Sequence, residues 1–590
     1  MKRERFTRIA GYSGFFLMLI YLFYYLKEVD GSLIYYWQQT IPLSFRDSMQ
    51  FPGGLSGLLG DWFLESLTQN FRGSMGVALL VLTVFLSLQL IFRQMKKNPA
   101  YFIFMLAALI PFILLFAHYT LPAGLILSIT TGFLFSAIQG FYSPRKLVFR
   151  AGYNFAGGAF IYLCAGVAGL LVLLQAIIVR YVLSKKYREL LSALPLLVIP
   201  ILYLPLNLAS TVKYAYLGSF LLSELNALSP VLYFSLFSPL LLLVIFISLR
   251  SLFSQFTMKR TLFFSGTGII LVIVVLVFSS KASINERERD GYKIVQAGLN
   301  KDYKRVIELT SQQHSISNLE EFEFNRALYH TGQLLEKLFC YPQPWGEKGI
   351  FLEGDISCPV AVHISDFNFD LGFVNEARHW ATEAQMGLMR HPIVLKHLVI
   401  SYIAVGNTEA ARKYLRILSR SGLYKEWGDQ VREMIENNTA SEDSRIQSFI
   451  SNNPRVDFFC STSNPTRKLL DFYNSNPDNK MAFEFLIASY LLQHEVGKVV
   501  PYLSKFRQFG YEKLPRAVEE AMLIYASSPK ADLQLLEGYS TSQKTLGEFR
   551  GLTGLMSGSG ERAEKMLNAS AYRNTYWYYL LFTSPHASIK

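Results

Sequence analysis

The sequence predicts an all-α protein: a polytopic α-helical membrane bundle followed by a tetratricopeptide-like helical solenoid. Three observations predict it. Apolar runs of roughly 17–27 residues follow one another as far as Ser279, each fit for the ~30 Å core of a bilayer. At Asn285-Glu286-Arg287-Glu288-Arg289-Asp290 the composition turns polar and stays so to Lys590. In that polar half strand signals are scarce, and one stretch recurs at an offset of 34 residues, the tetratricopeptide period. The boundary gives a multi-spanning domain at 1–280 and a soluble helical-repeat domain at 281–590.

The formal net charge of +13 belongs to the first domain: residues 1–280 hold 21 Lys+Arg against 8 Asp+Glu, and the remainder holds 36 of each. Basic residues in loops between spans are a topology signal, so the expected partner of this half is the lipid bilayer, with no nucleic acid. Lys2, Arg3, Arg5 and Arg8 precede an uncharged run with no small-residue cleavage site, which reads as a retained signal anchor starting in the cytoplasm.

Eight apolar segments follow: Phe6–Leu26, Met75–Phe92, Tyr101–Ala117, Leu121–Phe141, Tyr153–Val179, Leu190–Leu206, Val231–Leu249 and Thr261–Ser279. The fifth is dense in small residues (Gly157, Gly158, Ala165, Gly166, Gly169), which let helices approach closely. Pro195, Pro200 and Pro205 interrupt the sixth. If all eight segments cross, loop Lys/Arg balance at 11 inside and 10 outside. If the Tyr101–Phe141 pair makes one net crossing, broken near Pro111 and Pro122, the split becomes 14 to 7. That arrangement obeys the positive-inside rule and puts the C-terminal domain outside the cytoplasm.

The outer loop 27–73 opens with Glu28 and Asp30, then carries Asp47, the turn FPGG (Phe51–Gly54) and LSGLLGDWFLESLTQNF with Asp61 and Glu65. Leu55, Leu58, Leu59, Trp62, Phe63, Leu67 and Phe71 recur at helical spacing, for a helix lying at the membrane interface or packed on the bundle. Acidic residues after a first span are similar in position to those of membrane glycosyltransferases using lipid-linked donors, where a carboxylate acts as base or metal ligand. Glu28, Asp30 and Asp61 are the catalytic candidates on that reading. His118 and Glu224, in or near apolar sequence, are flagged because ionisable groups there are costly.

In the second domain DLGFVNEARHWATEA and AVGNTEAARKYLRIL align: Gly372 with Gly406, Ala377 with Ala411, Trp380 with Tyr414. Paired helices are expected at about 374–386, 393–405 and 408–419, as the 34-residue period requires. Weaker copies fall at Gly332, at AGLNKDYKRVIEL and at ASYLLQHEVGKVVPYL, with helices at 515–526 and 561–568 continuing the stack. A solenoid of this kind offers a concave surface to a protein or peptide. Cys340 and Cys358 bracket a turn-rich stretch, and a disulfide or two free thiols are both open. No Cys-x-x-Cys, nucleophile elbow or glycine-rich phosphate loop is present, so no cofactor or metal is assigned.

The stretches FPGGLSGLLGDWFLESL, ALYHTGQLLEKLFCYPQP, GFVNEARHWATEA, GERAEKML (Gly560–Leu567) and TYWYYLLF resemble an uncharacterised family of integral membrane proteins from Gram-negative bacteria, a domain-of-unknown-function family. The resemblance implies a multi-pass inner-membrane protein with a tetratricopeptide-like C-terminal region, and supplies no activity. Three functions are then open: a cell-envelope assembly or scaffold protein, a glycosyltransferase-like enzyme, and a transporter, to which the broken sixth segment and His118 would point.

Overall fold

The computed structural model describes residues 2–92, 101–142, 144–206, 211–217, 230–254, 257–352, 357–456, 464–529, 531–556 and 571–583. Among these the regular structure is all helical, with no strand. Two compact units divide at Arg289/Asp290. Glu224, Cys460 and the expected helix at 561–568 lie outside the described residues.

The first unit contains α1 (Lys2–Val29), α2 (Gly31–Gln38), α3 (Gly54–Ser66), α4 (Asn70–Ile91), α5 (Tyr101–Leu114), α6 (Ala123–Gln139), α7 (Leu147–Ser184), α8 (Pro230–Ser254) and α9 (Met258–Ser283). Among the described residues four helices are long and apolar enough to cross a membrane: Arg5–Val29, Asn70–Ile91, Leu147–Ser184 and Lys259–Ser283. Helices α1 and α9 run parallel. A Cβ on Gly14 would lie 2.6 Å from Ile269, Tyr21 Oη is 2.5 Å from Ser280 Oγ, and Tyr25 Oη is 3.0 Å from Ser283 Oγ. Helices α5 and α8 run antiparallel, with Phe104 against Phe246 and Ser238 near Ala108.

Helix α7 is not one rod. Straight, its 38 residues would measure about 57 Å. Yet Arg150 near its start pairs at 2.6 Å with Glu189, just past its end, and Asn154 Nδ2 donates to Ser192 Oγ at 2.8 Å. The reversal is at Gly166 (φ 63, ψ −155), a backbone region essentially reserved for glycine. The two legs pack closely at their small residues: a Cβ on Gly169 would lie 2.9 Å from Ile161 Cγ2. The expected single crossing at Tyr153–Val179 is therefore a helical hairpin. The chain break is here and not near Pro111 or Pro122, since α5 continues through Pro111 and Pro122 merely caps α6.

The sixth apolar segment is no continuous helix either. Its prolines each remove a backbone donor, leaving the short turns Tyr187–Leu191, Leu194–Val198, Ile199–Tyr203 and Leu204–Leu206. These lie along the first leg of α7, where Tyr203 meets Tyr162.

The second unit is built of short helices joined by tight turns: α10 (Glu286–Leu299), α11 (Tyr303–Ser311), α12 (Asn318–His330), α13 (Leu334–Lys337), α14 (Cys358–Leu371), α15 (Val374–Gly387), α16 (Pro392–Ala404), α17 (Thr408–Leu418), α18 (Pro465–Ser475), α19 (Lys480–Leu492) and α20 (Val496–Val499). One local device recurs. A left-handed residue ends the first helix of each pair: Lys301, Gly332, Gly372, Gly406 and His494. The next N–H then reaches back to a carbonyl five residues earlier, Asp302 to Ala297, Gln333 to Leu328, Phe373 to Asn368, Asn407 to Tyr402 and Glu495 to Tyr490, at 2.7–2.9 Å. This is the Schellman closure, which satisfies the last carbonyls and aims the chain into the next helix. Ala377 and Ala411 are fully buried, as close contact between paired helices requires. Cys340 and Cys358 are free thiols.

Candidate functional site

Loop 27–73 enters the first bundle. The FPGG turn meets the reversal of α7: Gly53 N–H donates to Tyr162 O at 3.1 Å, and a Cβ on Gly53 would lie 3.3 Å from Gly166 N. Ser56 Oγ takes a second carbonyl freed by the break, Cys164 O, at 2.9 Å, and touches Thr131 Oγ1 at 2.7 Å. Two glycine-bearing tips, each carrying a helix start, thus meet in the bundle, and each supplies the hydrogen bonds the other lacks. Helix α3 then packs on α6, where a Cβ on Gly60 would lie 2.7 Å from Gly124 Cα. Its buried residues are Gly54, Ser56, Leu58, Gly60 and Leu64; of the expected apolar stripe Leu58 and Leu67 are buried, while Trp62 and Phe71 are exposed.

The acids of this loop are engaged separately. Asp30, left-handed at φ 61, caps α2 through Ser32 N (3.3 Å) and Ser32 Oγ (2.7 Å). Asp47 accepts from Ser44 Oγ at 2.7 Å. Glu28 is about half exposed, 4.0 Å from Arg289. Asp61 is half-buried on α3. His118 sits in the turn between α5 and α6, held from Gln38: Nε2 donates to Tyr119 O (2.6 Å) and Leu121 O (2.7 Å), and Ala123 N–H donates back to Oε1 (3.0 Å). Among the described residues no group of three His, Cys, Asp or Glu side chains is placed to hold a metal ion.

The second unit has a charged constellation that the sequence reading did not single out. On α12, Glu323, Arg326 and His330 share one face, and on α14 so do His363, Asp366 and Asp370. They pair as three rungs: His363 Nδ1 with Glu323 at 2.7 Å, Arg326 with Asp366, and His330 Nε2 with Asp370 at 2.8 Å. Each rung joins residues 40 apart, the offset that also separates Gly332 from Gly372. Arg326 also bonds Asp370 (2.6 Å) and pairs with Glu323 (3.3 Å). Lys301 pairs with Asp370 at 3.3 Å, and His397 on α16 adds a bond to Asp366 at 3.1 Å. Arg326 and Glu323 are wholly buried. Burial alone would raise the Asp370 carboxyl, but Arg326, then the His330 hydrogen bond and Lys301, hold it at about 2. Buried His391 is pushed down to about 3 by desolvation, with His397 and His363 adding to the effect. The available signal was repetition itself: His/acid/acid at i, i+3, i+7 on one helix, and acid/Arg/His at the same spacing 40 residues earlier.

Beside the ladder lies a small cleft of about 60 Å³ between α12, α14, α15 and α18, walled by Phe322, Phe367 and Trp380. At its edge Glu376 binds Trp380 Nε1 and Lys468 Nζ, both at 3.0 Å. Asn368 lines it, with Nδ2 spent on Ile364 O at 2.8 Å and Oδ1 without a partner.

A family model described as a family of unknown function (DUF6057) matches residues 5–583. No curated protein and no solved structure matches the chain.

Proposed function

The chain belongs to this family of unknown function, and we propose that it is a multi-pass inner-membrane assembly or scaffold protein of the cell envelope, whose tetratricopeptide-like solenoid binds a protein or peptide outside the cytoplasm. The observation that carries this reading is the recurrence of one hairpin closure at Lys301, Gly332, Gly372, Gly406 and His494, since stacked hairpins generally serve as binding surfaces. The cleft supports it: aromatic walls with an unpaired acceptor suit a peptide side chain and its donor. The parallel run of α1 and α9 supports the orientation, because α9 then ends opposite the basic N terminus whatever the number of spans between.

The test is photo-crosslinking in intact cells from Trp380 and Lys468 of the full-length protein. The reading expects one discrete adduct, whose purified partner binds the full-length protein and loses affinity to Asn368→Leu. A functional protein that yields no adduct from either position overturns it.

The meeting of two tips at Gly53 and Gly166 favours a transporter as the second reading, because discontinuous helices build substrate sites in such proteins. Substrate-dependent protection of a cysteine placed at Ser56 would support it. The glycosyltransferase-like reading rests on Glu28, Asp30 and Asp61, of which Asp30 also caps α2 through Oδ1. Full complementation by Glu28→Gln, Asp30→Asn and Asp61→Asn would end it.

A further inference from the structure

The reversal of α7 gathers charges that the sequence keeps 40 residues apart. Arg145 and Lys146 precede the first leg, and Lys185, Lys186 and Arg188 follow the second. The Arg150–Glu189 pair (2.6 Å), with Arg150 Nε also on Pro144 O (2.8 Å), clamps the two leg ends together. All five basic residues are exposed, whereas Glu189, the acid of this stretch, is buried and spent on Arg150. Exposed apolar side chains flank them, Phe149 at 66% and Tyr187 at 71%. Basic groups interleaved with exposed aromatics are what a protein presents at headgroup depth.

We propose that the base of the α7 hairpin is a binding site for the phosphate headgroup of an anionic phospholipid. Charge complementarity selects the ligand: five cations with no exposed acid among them repel a second basic surface and leave a zwitterionic headgroup little advantage. The aromatic flank selects a lipid over a free anion, because it would face acyl-chain carbonyls. The proposal rests on the membrane reading above. Helix α5 starts at the N-terminal end of α1, where Phe102 meets Tyr12, and its far turn reaches the other end of α1, where Tyr119 Oη donates to Val29 O. Helix α6 starts there beside Gln38 and returns, and Gln139 at its end bonds Asn154 and Tyr153 of α7, so this end of the bundle lies with the basic N terminus.

The test uses full-length protein in a neutral detergent, titrated with short-chain phosphatidylglycerol, short-chain phosphatidylcholine, inorganic phosphate and polyglutamate as an acidic polypeptide. Phosphatidylglycerol should bind and raise the melting temperature, phosphatidylcholine and phosphate should not, and polyglutamate should bind more weakly. Neutralising either pair, Arg145→Gln with Lys146→Gln or Lys185→Gln with Lys186→Gln, should weaken that binding ~10- to 30-fold. Lys185→Arg with Lys186→Arg should preserve it. Since these side chains are exposed, each variant should melt like the parent without lipid. Equal binding of phosphatidylcholine, an equal effect of phosphate alone, tighter binding of an acidic polypeptide, or unchanged affinity in both neutralised pairs overturns the site. Carbonate extraction separates the two failures. A protein that stays with the membrane but ignores phosphatidylglycerol sinks only this proposal, and one released into the soluble fraction sinks the membrane reading as well.

Discussion

Arg326 has three carboxylates around it and no access to water, so the energetics of the ladder turn on its partners. Removing one member of a buried charge cluster leaves the others desolvated without compensation. Arg326→Ala should therefore cost the second unit ~3–5 kcal/mol, read by denaturant unfolding of the full-length protein. The pH dependence includes two acid-side components, a paired carboxylate and a buried imidazole. Asp370 is held near 2 against an unfolded value of ~3.9, so its contribution is complete above pH ~3.9 and is lost as pH falls toward 2. His391 is held near 3 against ~6.5, so its penalty is absent above pH ~6.5 and grows as pH falls from there toward 3. His391→Asn should flatten the decline in melting temperature between pH 6.5 and 4 while leaving the steeper loss below pH 4. An unchanged profile would show that His391 is solvated in solution.

At the scale of elements, Gly166 and the paired alanines give opposite kinds of constraint. Gly166 occupies a conformation closed to side chains and faces Gly53, so Gly166→Ala should cost ~1–3 kcal/mol. Gly152, also in α7 but with open space around it, is the control: Gly152→Ala should be neutral or mildly stabilising. Size-exclusion profiles after heating the detergent-solubilised variants would read the difference. In the hairpins Ala377→Leu and Ala411→Leu should each cost ~1–3 kcal/mol by overpacking a fully buried contact, seen as a lower melting temperature. The hairpin helices Val374–Gly387, Pro392–Ala404 and Thr408–Leu418 were legible because periodicity, a capping Asn407 and an αL glycine all act within a few residues. The ladder was not legible, because α12 carries charges where a core helix carries aliphatic side chains, and only their partners on α14 make that affordable.

For the whole molecule, the direction of α9 relative to α1 predicts an outcome independent of span counting. A periplasm-dependent reporter fused after Lys590 should be active. A reporter fused after Lys186 should behave like one at the N terminus, because the α7 hairpin returns to the end it left. A Lys186 fusion active only outside would show that α7 crosses once.

The sequence by itself determined the helical class, the polar shift at residue 285 and the hairpin turns, because these depend on composition and on contacts within a few residues. Only the tertiary structure decided that the longest apolar segment doubles back. Hydropathy measures length in apolar surroundings and carries no direction, whereas one glycine at φ 63, ψ −155 reverses the chain and lets Arg150 reach Glu189. Likewise the acids of the first loop looked alike in sequence. Folding spent Asp30 on a cap and assembled the principal charge cluster from helices 40 residues apart, through pairings that no local pattern encodes.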